Sequence, residues 1–153
     1  MKNKNVLTSA FTLIELLIVI AIIGVIMAIS LFGLAGARES ARDGRRKSDL
    51  EQIRSALELY RADCGVYPAS ITFGSALRGA NASGNTCLNS FVYIQVVPVD
   101  PGSGTYRYNR VSNTTYELCA TQERPANGAA AVSCAGNSTC GAGHTCYFKV
   151  VNP

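Results

Sequence analysis

The polarity of the chain changes three times along its length. Residues 1–10 are mostly polar. From Phe11 to Ala37 nearly every residue is apolar, and no charged side chain stands between Glu15 and Arg38. That gap of about 22 residues spans roughly 33 Å as a helix, enough to cross a bilayer core. It contains no proline, so a helix is predicted throughout. After Arg38 the pattern becomes amphipathic. Leu50, Ile53, Leu57, Tyr60 and Cys64 recur at three- and four-residue steps, while Arg42, Arg45, Arg46, Lys47, Asp49, Glu51, Arg54, Glu58 and Arg61 occupy the other faces. Gly65 stands where a helix C-terminal glycine belongs, and Pro68 bars a restart. The two patterns join into one helix over residues 11–63, about 80 Å long.

Beyond the helix, Ala69–Ser90 is small and polar and reads as a loop region. Phe91–Val97 is β-branched and aromatic, which by pattern is a strand. Thr105–Arg110, Thr114–Thr121 and Thr145–Val151 alternate with period two, and Ser112-Asn113 is the turn between the first two. Tyr116, Leu118 and Ala120 fall on one face of their strand, as do Cys146, Phe148 and Val150 on theirs. Three strands with one apolar face need a cover, and the amphipathic half of the long helix is available. The expected fold class is α+β: a long N-terminal helix packed on a small antiparallel sheet of about three strands.

Glu15 is the anomaly in the apolar run, because an acid inside a membrane segment is costly and marks a functional site by default. The residues around it, Ser9-Ala10-Phe11-Thr12-Leu13-Ile14-Glu15, resemble the cleavage site of type IV pilins and type II secretion pseudopilins. Ala10 stands where the family more commonly has Gly. The resemblance implies that a prepilin peptidase cuts between Ala10 and Phe11 and N-methylates Phe11, and that Glu15 is the assembly acid. In that family the Glu of an incoming subunit meets the N-terminal amine of a neighbour, and a buried charge does need such a partner. The segment Ala56-Leu57-Glu58-Leu59-Tyr60-Arg61-Ala62-Asp63-Cys64-Gly65-Val66-Tyr67-Pro68 resembles the end of the long helix in pseudopilin-like proteins. Val97-Pro98-Val99-Asp100-Pro101 is similar to their Pro-x-Asp-Pro loop. The same relatives suggest a short helix or turn over residues 91–97, so strand and helix both stay open there. Phe32 occupies the position where most relatives carry Pro.

Two other readings compete. An ordinary membrane anchor could carry the acid by chance. A secretory signal could use Lys2 and Lys4 as its basic start and Ala35-Gly36-Ala37 as its cleavage site, releasing a domain that begins at Arg38. Against the latter, a secretory apolar core has about 7–15 residues, fewer than this run, and lacks an acid. Charge does not arbitrate: Arg38, Arg42, Arg45, Arg46 and Lys47 follow the run and by the positive-inside rule favour the reverse orientation. The leader motif and the cysteines outweigh that argument. All six cysteines, Cys64, Cys87, Cys119, Cys134, Cys140 and Cys146, lie beyond the apolar run, which points to an oxidising compartment.

Of 15 possible connectivities, the expected pairs are Cys64–Cys87, Cys119–Cys146 and Cys134–Cys140. No Cys-x-x-Cys pair is present and His144 is the one histidine, so neither a metal nor a cofactor is expected. Asp100 reads as a turn former, and the Arg45-Arg46-Lys47 cluster as a solvated helix face. A net charge of +4 in 153 residues is too small to imply nucleic acid by itself. Asn81-Ala82-Ser83, Asn113-Thr114-Thr115 and Asn137-Ser138-Thr139 fit the glycosylation sequon. No nucleophile–base–acid group stands out, so no enzyme is expected.

The expected division is a leader at 1–10, a membrane-spanning or filament-core helix at 11–37, and a periplasmic or extracellular head at 38–153. The head includes the amphipathic part of the helix to about residue 64. The resemblance implies an inner-membrane precursor that becomes a filament subunit. Its partners are copies of itself, the prepilin peptidase, an inner-membrane assembly platform and, before assembly, lipid. Type IV pilus, type II secretion pseudopilus and DNA-uptake pilus all remain open. From a different class, a cysteine-rich binding module that never polymerises would use the same head.

Overall fold

A computed structural model describes residues 11–80, 87–141 and 143–152. Helix α1 runs Leu13–Cys64, followed by strands β1 (Leu77–Arg78), β2 (Val92–Ile94), β3 (Arg107–Arg110), β4 (Tyr116–Thr121) and β5 (Cys146–Val151). The chain divides into two units, one up to Arg38 and one from Glu39 onward. Among the described residues of the first unit, Leu13, Ile14, Leu16, Leu17, Ile20, Ile22, Val25, Ile26 and Ile29 are all exposed. By length and composition this helix can cross a membrane.

Both ends of α1 follow local chemistry. At the start, Thr12 is the N-cap and Glu15 the third helical residue. The Glu15 amide donates to Thr12 Oγ1 at 3.3 Å, while Glu15 Oε2 accepts from the Thr12 amide at 3.0 Å and from its hydroxyl at 2.7 Å, which is a capping box. At the other end, Gly65 adopts φ +74° and its amide donates to the Arg61 carbonyl at 2.8 Å, as a left-handed cap requires.

In the second unit the expected helix face is the buried one. Leu50, Ile53, Leu57 and Tyr60 pack with Tyr67, Tyr106, Tyr116, Leu118, Ala120 and Val150. The three-stranded sheet has the order β3-β4-β5, antiparallel throughout. The turn between β3 and β4 closes where Val111 and Ser112 donate to the Thr115 carbonyl. Residues 92–94 are strand, and β2 pairs with β1 in a separate two-stranded sheet. So the stretch 69–90, expected as loop alone, contains a strand at Leu77–Arg78. Two residues are too short to print an alternation.

Strand β4 has two covered faces. Tyr116, Leu118 and Ala120 face the helix, as expected. Cys119 and Thr121, of opposite parity, are buried as well. Cys119 joins Cys134, Cys140 and Cys146 in a second buried cluster with Val132 packed against it, and Thr121 lies beside Gly104. Cys146 reaches that side through an irregularity in register. Ala120 pairs with Phe148, but Thr121 pairs with Cys146, so Tyr147 is the extra residue. A bulge reverses the parity of everything before it. The expectation that Cys146 shares a face with Phe148 and Val150 is therefore corrected.

The disulfide pairing is corrected as well. The bonds are Cys64–Cys87, Cys119–Cys134 and Cys140–Cys146, with Cα separations of 4.6, 6.2 and 5.0 Å. Cys119–Cys146 does not form because Cys119 lies opposite Lys149 and Cys146 opposite Thr121. Such diagonal neighbours are about 7–8 Å apart, beyond disulfide reach. Cys134–Cys140 does not form because Cys134 closes a tight turn with Asn137, through Ala135 (φ 57°) and Gly136 (φ 74°), and turns its sulfur to β4.

Candidate functional site

Ala10 lies outside the described residues. Phe11, its neighbour across the expected cut, is exposed. Glu15 follows one helical turn later, and its carboxylate is engaged by Thr12 within its own chain. The capping box therefore joins Glu15 to Thr12, the neighbour of Phe11, and gives the acid a neutral partner before any charged one is supplied. Thr12 could have been recognised in advance, since T-x-x-E ahead of an apolar run is a capping-box signature. The exposed apolar surface that follows, from Leu13 to Ile29, is the largest feature of the first unit.

The second unit holds a charged cluster that the sequence did not announce. Arg46 is 1 % exposed, so its reading as part of a solvated face is corrected. Its guanidinium donates to Asp43 Oδ1 at 2.7 Å, to both oxygens of Asp100 at 2.7 and 2.9 Å, and to Glu123 Oε1 at 2.9 Å. Arg42, one turn earlier, also pairs with Glu123. Asp43 in turn accepts the amides of Glu123 and Arg124, both at 2.9 Å. The cluster thus ties the helix to the Pro-x-Asp-Pro loop and to the chain leaving β4. Asp100 is a turn former as expected, accepting the Gly102 amide at 2.8 Å, but it also grips the buried guanidinium. Two glycines make room. A Cβ on Gly102 would stand 2.8 Å from Arg46 Nη2, and one on Gly104 would stand 2.5 Å from Thr121 Cγ2.

The electrostatics follow the geometry. Hydrogen bonds from Arg42 and then Arg46, against some burial, hold the Glu123 carboxyl down to about 2 from an ordinary 4.5. Burial alone would raise Asp100, but Arg46 and the Gly102 amide overcome it and leave it below its ordinary range. Both carboxyls bind protons less readily folded than unfolded. Their stabilisation is complete above the unfolded value and is lost as pH falls through the folded one. The melting temperature of the head is therefore expected to be level above about pH 5 and to fall steadily between about pH 4.5 and 2. Thermal melts across that range check it, and a level profile down to pH 3 would contradict the cluster.

Elsewhere the chemistry is sparse. His144 Nε2 lies 2.9 Å from Ser103 Oγ. Among the described residues no group of His, Cys, Asp or Glu is arranged to hold a metal ion. The three carboxylates that converge on Arg46 are held by its guanidinium, and Glu123 is shared with Arg42. Of the sequons, Asn81-Ala82-Ser83 lies outside the described residues, while Asn137 Oδ1 is engaged by the amide and hydroxyl of Thr139.

Comparison with known proteins gives a consistent result. The family model described as type II secretion system (T2SS), protein G matches residues 34–133. The prokaryotic N-terminal methylation motif matches residues 8–31, which includes Ala10, Phe11 and Glu15. The chain is 31 % identical over 103 residues to the type II secretion system core protein G of Pseudomonas aeruginosa, covering 65 % of this chain and 72 % of the relative. It is 32 % identical over 99 residues to that of Klebsiella pneumoniae, covering 63 % and 71 %. It is 32 % identical over 102 residues to that of Escherichia coli K12, covering 63 % and 68 %. No solved structure matches.

Proposed function

Because this chain belongs to the type II secretion system protein G family, we propose that it is a structural subunit of a type II secretion pseudopilus, polymerised through its N-terminal helix. The observation that carries the reading is the pairing, on one helix, of an exposed apolar surface from Leu13 to Ile29 with a carboxylate in its first turn. A folded monomer in water does not leave such a surface bare. Lipid covers it first and neighbouring helices cover it later. Residues 1–10 are the leader, removed by a prepilin peptidase that cuts after Ala10 and methylates Phe11. Residues 11–37 are the membrane and filament-core segment, and 38–153 the periplasmic head. The division of the structure between Arg38 and Glu39 supports that boundary. Glu15 pairs with the freed amine of a neighbour's Phe11. The role is structural, with no reaction assigned to the chain and no cofactor.

Release by a signal peptidase after Ala37 is disfavoured because α1 runs unbroken through Ala35-Gly36-Ala37. The test is the intact mass and N-terminal residue of the protein recovered from the membrane fraction of its own cell. N-methylated Phe11 is the expected terminus. Arg38 would make the head a released domain, and an uncut Met1 would make the helix a plain anchor. Either result removes the filament reading.

A further inference from the structure

We infer that the three disulfides are made in the order in which the cysteines leave the membrane, by a thiol oxidase acting on the emerging head, without help from a disulfide isomerase. The inference rests on the proposal that the head is exported. Its first support is connectivity. Each cysteine is bonded to its neighbour in sequence, at separations of 23, 15 and 6 residues. Of the 15 ways to pair six cysteines, this one alone is produced when every new thiol joins the one still waiting. The second support is burial. Cys119, Cys134, Cys140 and Cys146 expose no surface. A wrong bond among them could not be corrected once the β4 cover had closed, so the right ones must be in place earlier.

Proximity alone does not select these pairs. Cys134 and Cys140 are as near in sequence as Cys140 and Cys146, and loop-closure entropy does not tell them apart. Emergence does. When Cys134 appears, Cys119 is the waiting thiol and Cys140 lags by about 0.3–1 s at 5–20 residues per second. In each cycle a thiolate of the chain attacks the oxidase disulfide and forms a mixed disulfide. The second chain thiolate then displaces it, and the oxidase leaves as a dithiol carrying the two electrons and the two protons of the chain thiols.

The experiment uses the full chain in a bacterial host, in the same host without its periplasmic disulfide isomerase, and without its thiol oxidase, all in cystine-free medium. After pulse labelling, free thiols are alkylated and bonded peptides mapped by mass spectrometry. The expected yield of fully bonded chain is within twofold of the parent without the isomerase, and at least fivefold lower without the oxidase. A fivefold loss without the isomerase, or no loss without the oxidase, overturns the inference. Six free thiols in the parent host would overturn the exported head and the inference with it. A second measurement separates order from fold. Purified full chain, reduced and unfolded, is refolded in detergent with oxidised glutathione. A Cys134–Cys140 product comparable in amount to the native one is expected. Native pairs alone would mean that the fold selects them, and emergence is then not needed.

Discussion

Arg46→Met is expected to cost the head about 3–5 kcal/mol, the usual penalty for removing one side of a buried ion pair. The substitution keeps most of the side-chain volume and leaves Asp43 and Asp100 without their cation, with only Arg42 still on Glu123. For a unit of this size each kcal/mol is worth roughly 4 °C, so the midpoint should fall by more than 10 °C. Arg45→Met is the control. Its side chain is 70 % exposed and comes no nearer than 3.9 Å to Asp49, so it should change stability by less than about 0.5 kcal/mol. Arg46→Lys should recover little, because an ammonium is a point charge that cannot fork to three carboxylates. Urea unfolding of the full chain in detergent, followed by near-ultraviolet dichroism of the buried tyrosines, reads all three. A loss under 1 kcal/mol for Arg46→Met would show that the cluster does not hold the loop to the helix.

Glu15→Ala and Glu15→Gln are expected to insert into the membrane normally and to reduce filament yield at least tenfold. The two substitutions separate two jobs of one side chain. The carboxylate closes a capping box with Thr12, which a glutamine also does. A charge opposite a neighbour's Phe11 amine is something glutamine lacks. Alanine loses both, with about 1 kcal/mol of helix capping as the smaller part. Filaments sheared from cells and quantified against membrane-retained subunit give the comparison. If glutamine assembles like the parent while alanine does not, the acid serves the helix start and its pairing across subunits is wrong.

Much of the architecture was legible because it obeys simple periods. The face of Leu50, Ile53, Leu57 and Tyr60 follows the helical repeat, and it is buried. The helix end at Gly65 was readable because a left-handed residue there needs glycine. Strands β3, β4 and β5 fall inside the alternating stretches. What escaped has a common cause, namely contacts between residues far apart in sequence. Arg46 looks like its neighbours Arg45 and Lys47, and only the arrival of Asp100 and Glu123, 54 and 77 residues later, buries it. The parity of Cys146 depends on a bulge at Tyr147, which no local pattern marks. The disulfide pairing rests on the register between β4 and β5, which is equally non-local. The capping box is a local feature, because T-x-x-E ahead of an apolar run marks a helix start as well as belonging to the cleavage motif.

Strand β4 carries one more consequence. Most strands in a small head have a wet side, and that side is where a lineage can vary its charge without touching the core. Here the helix and the tyrosines take one side of Tyr116–Thr121, and the cysteine-clasped segment takes the other. Only Glu117 within it is half-exposed, and that carboxylate is spoken for by Lys149 and the Ala135 amide. The strand has no neutral ground. Across descendants of this chain, substitutions should collect in the exposed loops, while these six positions stand nearly still.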